Sequence, residues 1–303
     1  MERDRTEILL ACNYFPEAET LAASGRIRVD FFKYPALGFQ MGGFDDPDLA
    51  EYGRLAERLR GMGIRLLLHG LGQRDSEIGA PEFARKIRPE FTRRILELSG
   101  IRGISLHLCG GDTRLSPERR RAIIVDHIRM LREAMGELEF LSLENVDGNP
   151  YSDMFYSDCC IDPDFIRETV READADFLLD ISHAYGSALA LGMDVREYIR
   201  RLPLERLCEI HINGWIHDAG GMMAHVKIHG EGYRLLEELL SRSRPRIVTL
   251  EYGRGDDRLG AGIPLMKPGT MNPRAMEEIE EQVTRLRELI NCDNFIDNFQ
   301  TEA

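Results

Sequence analysis

The chain has 303 residues, of which 43% are hydrophobic, and its formal net charge is −13. That length can bury one large core, so it suits one α/β barrel or two smaller domains. The acidic balance disfavours a nucleic-acid backbone as partner. No run of about 18 apolar residues predicts a membrane span. Residues 1–6 are charged or polar and lack an apolar signal region, so we expect a cytosolic protein with no membrane partner.

The predicted elements alternate between strands and helices along the chain. Short apolar runs, mostly closed by polar or glycine residues, predict eight strands, at 7–12, 28–33, 64–69, 103–108, 139–145, 177–179, 208–212 and 246–252. Capping signals and helical spacing predict helices near 17–24, 46–62, 89–98, 116–135, from 162 onward, and at 194–201, 231–241 and 272–290.

This alternation, without a linker, predicts a parallel sheet. Eight units in about 250 residues favour a closed (β/α)8 TIM barrel. We expect one domain over residues 1–290 and a polar tail over 291–303. A doubly wound open sheet is the alternative, and it is weakened because no phosphate-binding glycine motif follows the first strand. The longest loop, 253–271, is predicted to be a lid or a partner-docking segment.

Side chains that commonly bind metals end six successive predicted strands. The active sites of barrels lie at the C-terminal ends of the strands, and clustered carboxylates and imidazoles are costly to bury without a common partner. A metal ion is such a partner. The candidate metal ligands are His69, His107, Glu144, Asp180, His183, His211, His225 and Glu251.

Imidazole and carboxylate ligands together suit zinc, manganese, iron or cobalt rather than calcium. Three carboxylates predict more than one ion, at a spacing of about 3.5–4 Å. We expect Glu144 to bridge the ions because it lies between the histidine strands and the others. Asn145 and Asn213 are predicted to orient ligands or to hold substrate, and the alternative for both is a turn-forming role. Each histidine alone also fits a hydrogen-bonded core residue, so the prediction rests on the joint pattern.

Residues that are not expected to bind metal include His127, predicted to lie on a helix surface. Cys109 is predicted to be a small buried residue, and the adjacent Cys159 and Cys160 to be structural. The six cysteines are scattered, so we expect reduced thiols.

Several fragments of the sequence resemble the multinuclear non-heme iron-dependent oxidases, the family that includes methanobactin oxidase, within the xylose-isomerase-like barrels. The resemblance extends over roughly residues 8–253. The fragments that carry it are Leu68-His69-Gly70, Leu143-Glu144-Asn145, residues 178–184, residues 209–214 and Leu250-Glu251-Tyr252-Gly253.

The resemblance implies two or three metal ions, most simply iron, that activate dioxygen. It also implies a substrate residue, typically cysteine, in a ribosomally made precursor peptide, which a separate recognition protein often delivers. It would assign one iron to His69, His107 and Glu144. It would assign a second iron to the four residues that we expect to be catalytic, Glu144, Asp180, His211 and Glu251.

A third iron would be held by His183 and His225. Such proteins usually carry an Asp two residues before the loop histidine, whereas this chain has Met223 there. The third ion is therefore expected to be absent or weakly held, unless Asp218 replaces the missing acid.

Three other functions stay open at this point. A mononuclear sugar isomerase or epimerase of the same fold needs only the quartet of expected catalytic residues, with carboxylates moving protons. A zinc phosphodiesterase acting on damaged DNA shares the ligand layout, but it needs an electropositive groove, which the net charge of −13 disfavours. A non-enzymatic metal-binding or scaffold protein is the third.

Overall fold

The computed structural model describes residues 7–35, 49–70, 78–148, 159–218, 221–253 and 271–291. Its strands are β1 (Leu9–Asn13), β2 (Phe31–Pro35), β3 (Arg65–His69), β4 (Gly103–His107), β5 (Phe140–Glu144), β6 (Asp176–Asp180), β7 (Leu207–Ile212), β8 (Gly214–Asp218), β9 (Gly221–Val226) and β10 (Ile247–Leu250). Eight of them form a closed barrel in the order β1-β10-β7-β6-β5-β4-β3-β2, with every pair parallel. The predicted TIM barrel is confirmed, and the open-sheet alternative is wrong.

The described helices lie between the barrel strands in sequence, except the last, which follows β10. They are α1 (Pro16–Ala23), α2 (Leu49–Arg60), α3 (Phe83–Lys86), α4 (Pro89–Ser99), α5 (Pro117–Met135), α6 (Pro163–Glu172), α7 (Ile181–Ala190), α8 (Val195–Arg201), α9 (Gly230–Leu240) and α10 (Pro273–Asn291), with a 3₁₀ turn at Leu204–Arg206. Ser116 and Asp162 cap α5 and α6 through their side chains, and each cap is followed by proline at the first helical position, as the sequence predicts.

Three features of the fold differ from the sequence-based expectation. Helix α7 begins directly after β6. It was not predicted as a helix, because its apolar sequence has no acidic residue in the first turn and no basic residue in the last. Helix α3 was also not predicted. The antiparallel hairpin β8–β9 lies in what was expected to be a loop after the seventh strand. The expected start of α2 at 46–47, the loop residues 254–270 and the tail residues 292–303 lie outside the described residues.

Two apolar cores hold the barrel together. The larger core lies between the outer face of the sheet and the helices. A second, smaller cluster is formed by Ala11, Phe31, Leu67, Ile101, Phe140 and Ile247. Ala11, Phe31 and Leu67 are two residues before Asn13, Lys33 and His69 on their strands, so these polar residues share the same, inner face of the barrel. The barrel interior thus has an apolar layer on the N-terminal side of a polar layer formed at the C-terminal ends of the strands.

Within the described part of the chain, no helix combines the length and the apolar character needed to cross a bilayer.

Candidate metal centre

Each barrel strand contributes one polar side chain near its C-terminal end, from one of its last three residues or from the residue that follows. These eight side chains, called the ring below, are Asn13, Lys33, His69, His107, Glu144, Asp180, His211 and Glu251. The sequence pattern predicted six of them, while Asn13 and Lys33 were missed. Because parallel strands all end on the same side of a barrel, residues from 13 to 251 meet in one place.

Glu144 lies at the centre of the ring and is fully buried. Its Oε2 is 3.1 Å from Nε2 of His69 and 3.2 Å from Nε2 of His107. Its Oε1 is 3.2 Å from Nδ1 of His211 and 3.5 Å from Nδ1 of His183. One carboxylate therefore turns its two oxygens toward two different sets of histidines, as a bridging ligand would.

Two groups of potential ligand atoms result, each with its atoms within 4.8 Å of one another. One group is His69, His107 and Glu144, and the other is Glu144, Asp180, His211 and Glu251. They have the same members as the first two sets that the sequence resemblance implies. Glu144 belongs to both groups.

Several buried atoms of these groups have no hydrogen-bond partner among the described residues. They are both ring nitrogens of His69, both oxygens of Glu144, Nδ1 of His211 and Oε2 of Glu251. Leaving such atoms unpaired costs free energy, so native proteins rarely do it without a function. Imidazole nitrogens and carboxylate oxygens are the ligands of divalent transition metals. The residues present therefore fit bound metal ions.

The electrostatics of the ring also favour positive charge. Burial raises the pKa of Glu144, but His107, His69 and His211 outweigh it and hold the pKa well below its usual range. Burial also opposes ionisation of Glu251, and Lys33 and His211 lower its pKa well below the usual range. Carboxylates that stay ionised inside a barrel are stabilised by nearby cations, such as bound metal ions.

His211 is oriented by a second buried carboxylate below the ring. Its Nε2 lies 3.1 Å from Oε1 of Glu209, which also accepts a hydrogen bond from Thr249, while Oε2 accepts one from Ser105. The pKa of Glu209 is lowered, against the effect of burial, mainly by His211. Because an ionised carboxylate only accepts, Nε2 carries a proton that it donates to Glu209, which leaves Nδ1, the nitrogen that faces Glu144 and Glu251, as the ligand atom. The local sequence pattern around Glu209 carries no signal for this role.

Asp180 caps helix α7 as well as joining the quartet. Its Oδ1 accepts hydrogen bonds from the backbone N–H of His183 at 2.8 Å and the hydroxyl of Ser182 at 2.7 Å. Its Oδ2 accepts one from Asn213 at 3.1 Å. Asn145 fixes the backbone of Asp180, since it accepts from the amide and donates to the carbonyl. Both asparagines thus position Asp180 rather than forming isolated turns.

His183 and His225 lie beside the two groups, with ring centroids 6.5 Å apart. Nδ1 of His183 donates to the carbonyl of Asn145 at 2.9 Å, which leaves Nε2 as its ligand atom. His225 is on β9 with φ of 67°, a backbone conformation that non-glycine residues adopt mainly where structure or function requires it. Oδ1 of Asn213 accepts a hydrogen bond from the backbone N–H of His225. The carbonyl of His225 accepts one from the N–H of Gly253.

The described side chains include no acid that completes a third group with His183 and His225. The side chains of Asp218 and Met223 lie outside the described ones, so the expected role of Asp218 stays a prediction.

Lys33 and Asn13 are neighbours across β1 and β2. Lys33 is almost fully buried and forms an ion pair with Oε1 of Glu251. Asn13 donates to the carbonyl of Tyr252, and its own Oδ1 is buried without a hydrogen-bond partner among the described residues. The sequence signal that could have identified Lys33 is its position as a charged residue at the end of the predicted strand 28–33.

Three other residues have structural roles. His127 is half-buried rather than on the surface, because its Nδ1 lies 2.7 Å from the carbonyl of Ile78 and its ring packs on Phe83. Cys109 is buried, as expected. His229 caps helix α9 through Gly232.

A family profile described as "RiPP precursor modification enzyme MbnB/TglH/ChrH" matches residues 115–258. RiPPs are ribosomally made, post-translationally modified peptides. This range contains the whole quartet, His183 and His225, whereas His69 and His107 precede it. Over this range the chain is similar to the MbnB/TglH/ChrH family.

Curated relatives of this chain carry the name UPF0276 protein. One from Pseudomonas aeruginosa strain UCBPP-PA14 is 29% identical over 227 residues, which cover 70% of this chain and 72% of the relative. One from Chromobacterium violaceum is 26% identical over 201 residues, which cover 62% of this chain and 69% of the relative.

Solved structures show the same fold at low identity. D-psicose 3-epimerase from Clostridium cellulolyticum H10, in complex with D-tagatose, has a TM-score of 0.61 at 12% identity, with 94% of this chain and all of that one covered. A xylose isomerase domain protein from Salmonella typhimurium LT2 has a TM-score of 0.59 at 15% identity, with 96% and 99% covered. These likenesses show that the chain shares the TIM-barrel fold of these proteins.

Proposed function

We propose that this chain is a multinuclear non-heme iron oxidase that uses dioxygen to modify a residue, typically cysteine, of a ribosomally made precursor peptide. The observation that carries the proposal is the position of Glu144, whose two oxygens face two separate ligand groups. A second site that shares a carboxylate is what a two-metal centre requires. The match of residues 115–258 to a family of RiPP precursor modification enzymes supports the peptide substrate, and a separate recognition protein would deliver it.

The donor set supports iron. The group of His69, His107 and Glu144 provides two imidazoles and one carboxylate, a combination typical of non-heme ferrous oxygenases. Ferrous ions bound here would supply the electrons for dioxygen and an open position for a substrate thiolate. Zinc or manganese would fit the same ligands, so the metal is part of the test.

The protein residues would hold this centre in a fixed geometry. Glu144 would set the separation of the ions, and Glu209 would keep His211 in the tautomer that presents Nδ1. Asp180 would be held between Asn145, Asn213 and the first turn of α7. Because most of these side chains are buried, water is largely excluded from the ligand layer, and this strengthens every charge interaction in it.

A third ion would be held by His183 and His225, as the resemblance implies. These residues offer two nitrogens and no described acid, so we expect this ion to bind more weakly than the other two.

One observation favours a second candidate function, a mononuclear sugar isomerase or epimerase. The quartet of Glu144, Asp180, His211 and Glu251 forms a complete single-metal group by itself. That function would leave the buried nitrogens of His69 without a role, whereas the two-metal proposal uses them.

The two functions can be separated by activity and metal content. We would purify the protein anaerobically, load it with ferrous iron, and mix it with cysteine-containing precursor peptides found by searching the genes around its own, together with any recognition protein encoded with them. The proposal predicts at least two irons per chain and a peptide mass change that requires dioxygen. One metal per chain with epimerisation of D-tagatose or D-psicose, and no change in the peptide, would favour the alternative. Glu168→Ala, a change of an exposed glutamate on α6, is the control.

A further inference from the structure

Lys33 is the only lysine or arginine among the eight ring side chains. It lies on β2, has 1% of its surface exposed, and forms its ion pair with Glu251 on the far side of β1 in the barrel order. A buried ammonium group is costly unless it is paired with an anion. A lysine at this position therefore requires Glu251 as its partner.

The pair uses only one oxygen of Glu251. Oε1 accepts from Nζ of Lys33, while Oε2 has no hydrogen-bond partner among the described residues and lies 3.2 Å from Nδ1 of His211. The two oxygens of Glu251 therefore differ: Oε1 is held by Lys33, and Oε2 points into the ligand group.

We propose that Lys33 is a positioning residue that holds Glu251 through Oε1, so that this carboxylate offers Oε2 as a single-atom metal ligand. The proposal rests on the proposed function in that the quartet binds a metal. Without the ammonium group, Glu251 could rotate or bind a metal through both oxygens. Outer partners of metal ligands typically change metal affinity about 10–100-fold when they are removed.

The first test measures metal binding. Unmodified protein, Lys33→Met, Lys33→Arg and the control Lys227→Met are titrated anaerobically with ferrous iron against a competing chelator. Lys227 is a good control because it also pairs with a glutamate, Glu281, but is 40% exposed. We expect Lys33→Met to weaken one of the two tightest ions about 10–100-fold and to leave the other unchanged. Lys33→Arg should recover much of the loss, and Lys227→Met should behave as unmodified protein. Equal binding of both ions by Lys33→Met would overturn the proposal.

The second test uses metal-free protein and does not depend on the proposed function. Thermal unfolding midpoints are compared for Lys33→Met, Glu251→Gln and the double variant, with Lys33→Gln replacing Lys33→Met if the latter does not fold. If Lys33 holds Glu251, the shift of the double variant should be smaller than the sum of the single shifts, because each single change leaves a buried charge unpaired. Additive shifts would show that the two residues do not act as a pair. Failure of unmodified protein to bind metal would refute the proposed function, and this comparison would still decide whether Lys33 positions Glu251.

Discussion

Nε2 of His69 lies 3.1 Å from Oε2 of Glu144, and neither atom has a hydrogen-bond partner among the described residues. The two residues come from β3 and β5, which do not adjoin each other in the barrel. These two buried polar atoms therefore face each other inside the barrel with no hydrogen bond between them. A metal ion bound by both would explain the arrangement.

Replacement of Glu144 by alanine should empty two metal positions together, since each of its oxygens belongs to a different group. Replacement of His225 by alanine should empty at most one, because His225 belongs to neither group. Metal analysis of anaerobically loaded protein gives the count directly. Glu168→Ala should keep the full count, and equal losses from the Glu144 and His225 variants would refute the assignment of ligands to groups.

Asp180 combines a cap with a ligand position, and two substitutions separate these roles. Asp180→Asn keeps an oxygen for the N–H of His183 but removes the charge, whereas Asp180→Ala removes both. We expect both variants to lose the metal of the quartet. The alanine variant should also be less stable than the asparagine variant by about 1 kcal/mol, a typical value for a helix N-cap. Chemical unfolding of the metal-free proteins measures this difference, and equal stability would mean that the cap contributes nothing.

Glu209→Gln tests the orientation of His211. The amide keeps the size of the side chain and can still accept from Thr249, but it lacks the charge that fixes the tautomer of His211. We expect affinity for the metal of the quartet to fall about 10–100-fold, with little change at His69 and His107. Isothermal titration with manganese or ferrous iron measures both sites. A uniform loss at both sites would instead indicate a general disturbance of the barrel.

The pKa values predict opposite charge states for two histidines in the metal-free protein. Burial opposes protonation of His183, but Asp180, Glu144 and Asp147 outweigh it and raise its pKa to about 9. Burial lowers the pKa of His107 to about 3 despite Glu144. At pH 7, His183 should carry a proton and His107 should not. Nitrogen-labelled histidine spectra measure this, with His183→Gln to assign the signal.

The same pKa values set the direction of the pH effects. His183 gains a proton on folding, so its contribution to stability is complete below the unfolded pKa of about 6.5 and is lost as the pH rises through about 9. His107 loses proton affinity on folding, so the metal-free protein should lose stability as the pH falls from about 6.5 to 3. An ion bound by His183 must displace its proton, so its affinity should rise with pH up to about 9. A neutral His183 at pH 7 would contradict these expectations.

Strand positions were the most predictable part of the fold. The predicted strands 64–69 and 246–252 carry His69 and Glu251 at or next to their last residue, and closure of the barrel brings those ends together whatever their distance in sequence. The family resemblance added the division into ligand sets, which spacing alone does not specify. The single-domain organisation over 1–290 and the cytosolic location stay predictions.

The missed features share a physical cause. Helix α7 follows β6 without a turn, and its apolar sequence has the composition of a buried segment rather than of an amphipathic helix. The hairpin β8–β9 contains His217 and Met222 as paired residues, and no Asn-Gly or Asp-Gly turn marks it. Lys33 and Glu209 are positioned by partners on other strands. Lys33 pairs with Glu251, 218 residues away, and Glu209 accepts hydrogen bonds from Ser105 and Thr249. Such partners follow from barrel closure and register, which local patterns do not contain.

Mössbauer spectroscopy of protein purified anaerobically and enriched in iron-57 is the most direct test of a coupled iron centre bridged by Glu144. We predict at least two irons per chain with the magnetic signature of a coupled cluster after partial oxidation, and loss of that signature in Glu144→Ala. A single uncoupled iron per chain, or a fully loaded protein that contains only zinc, would contradict the account.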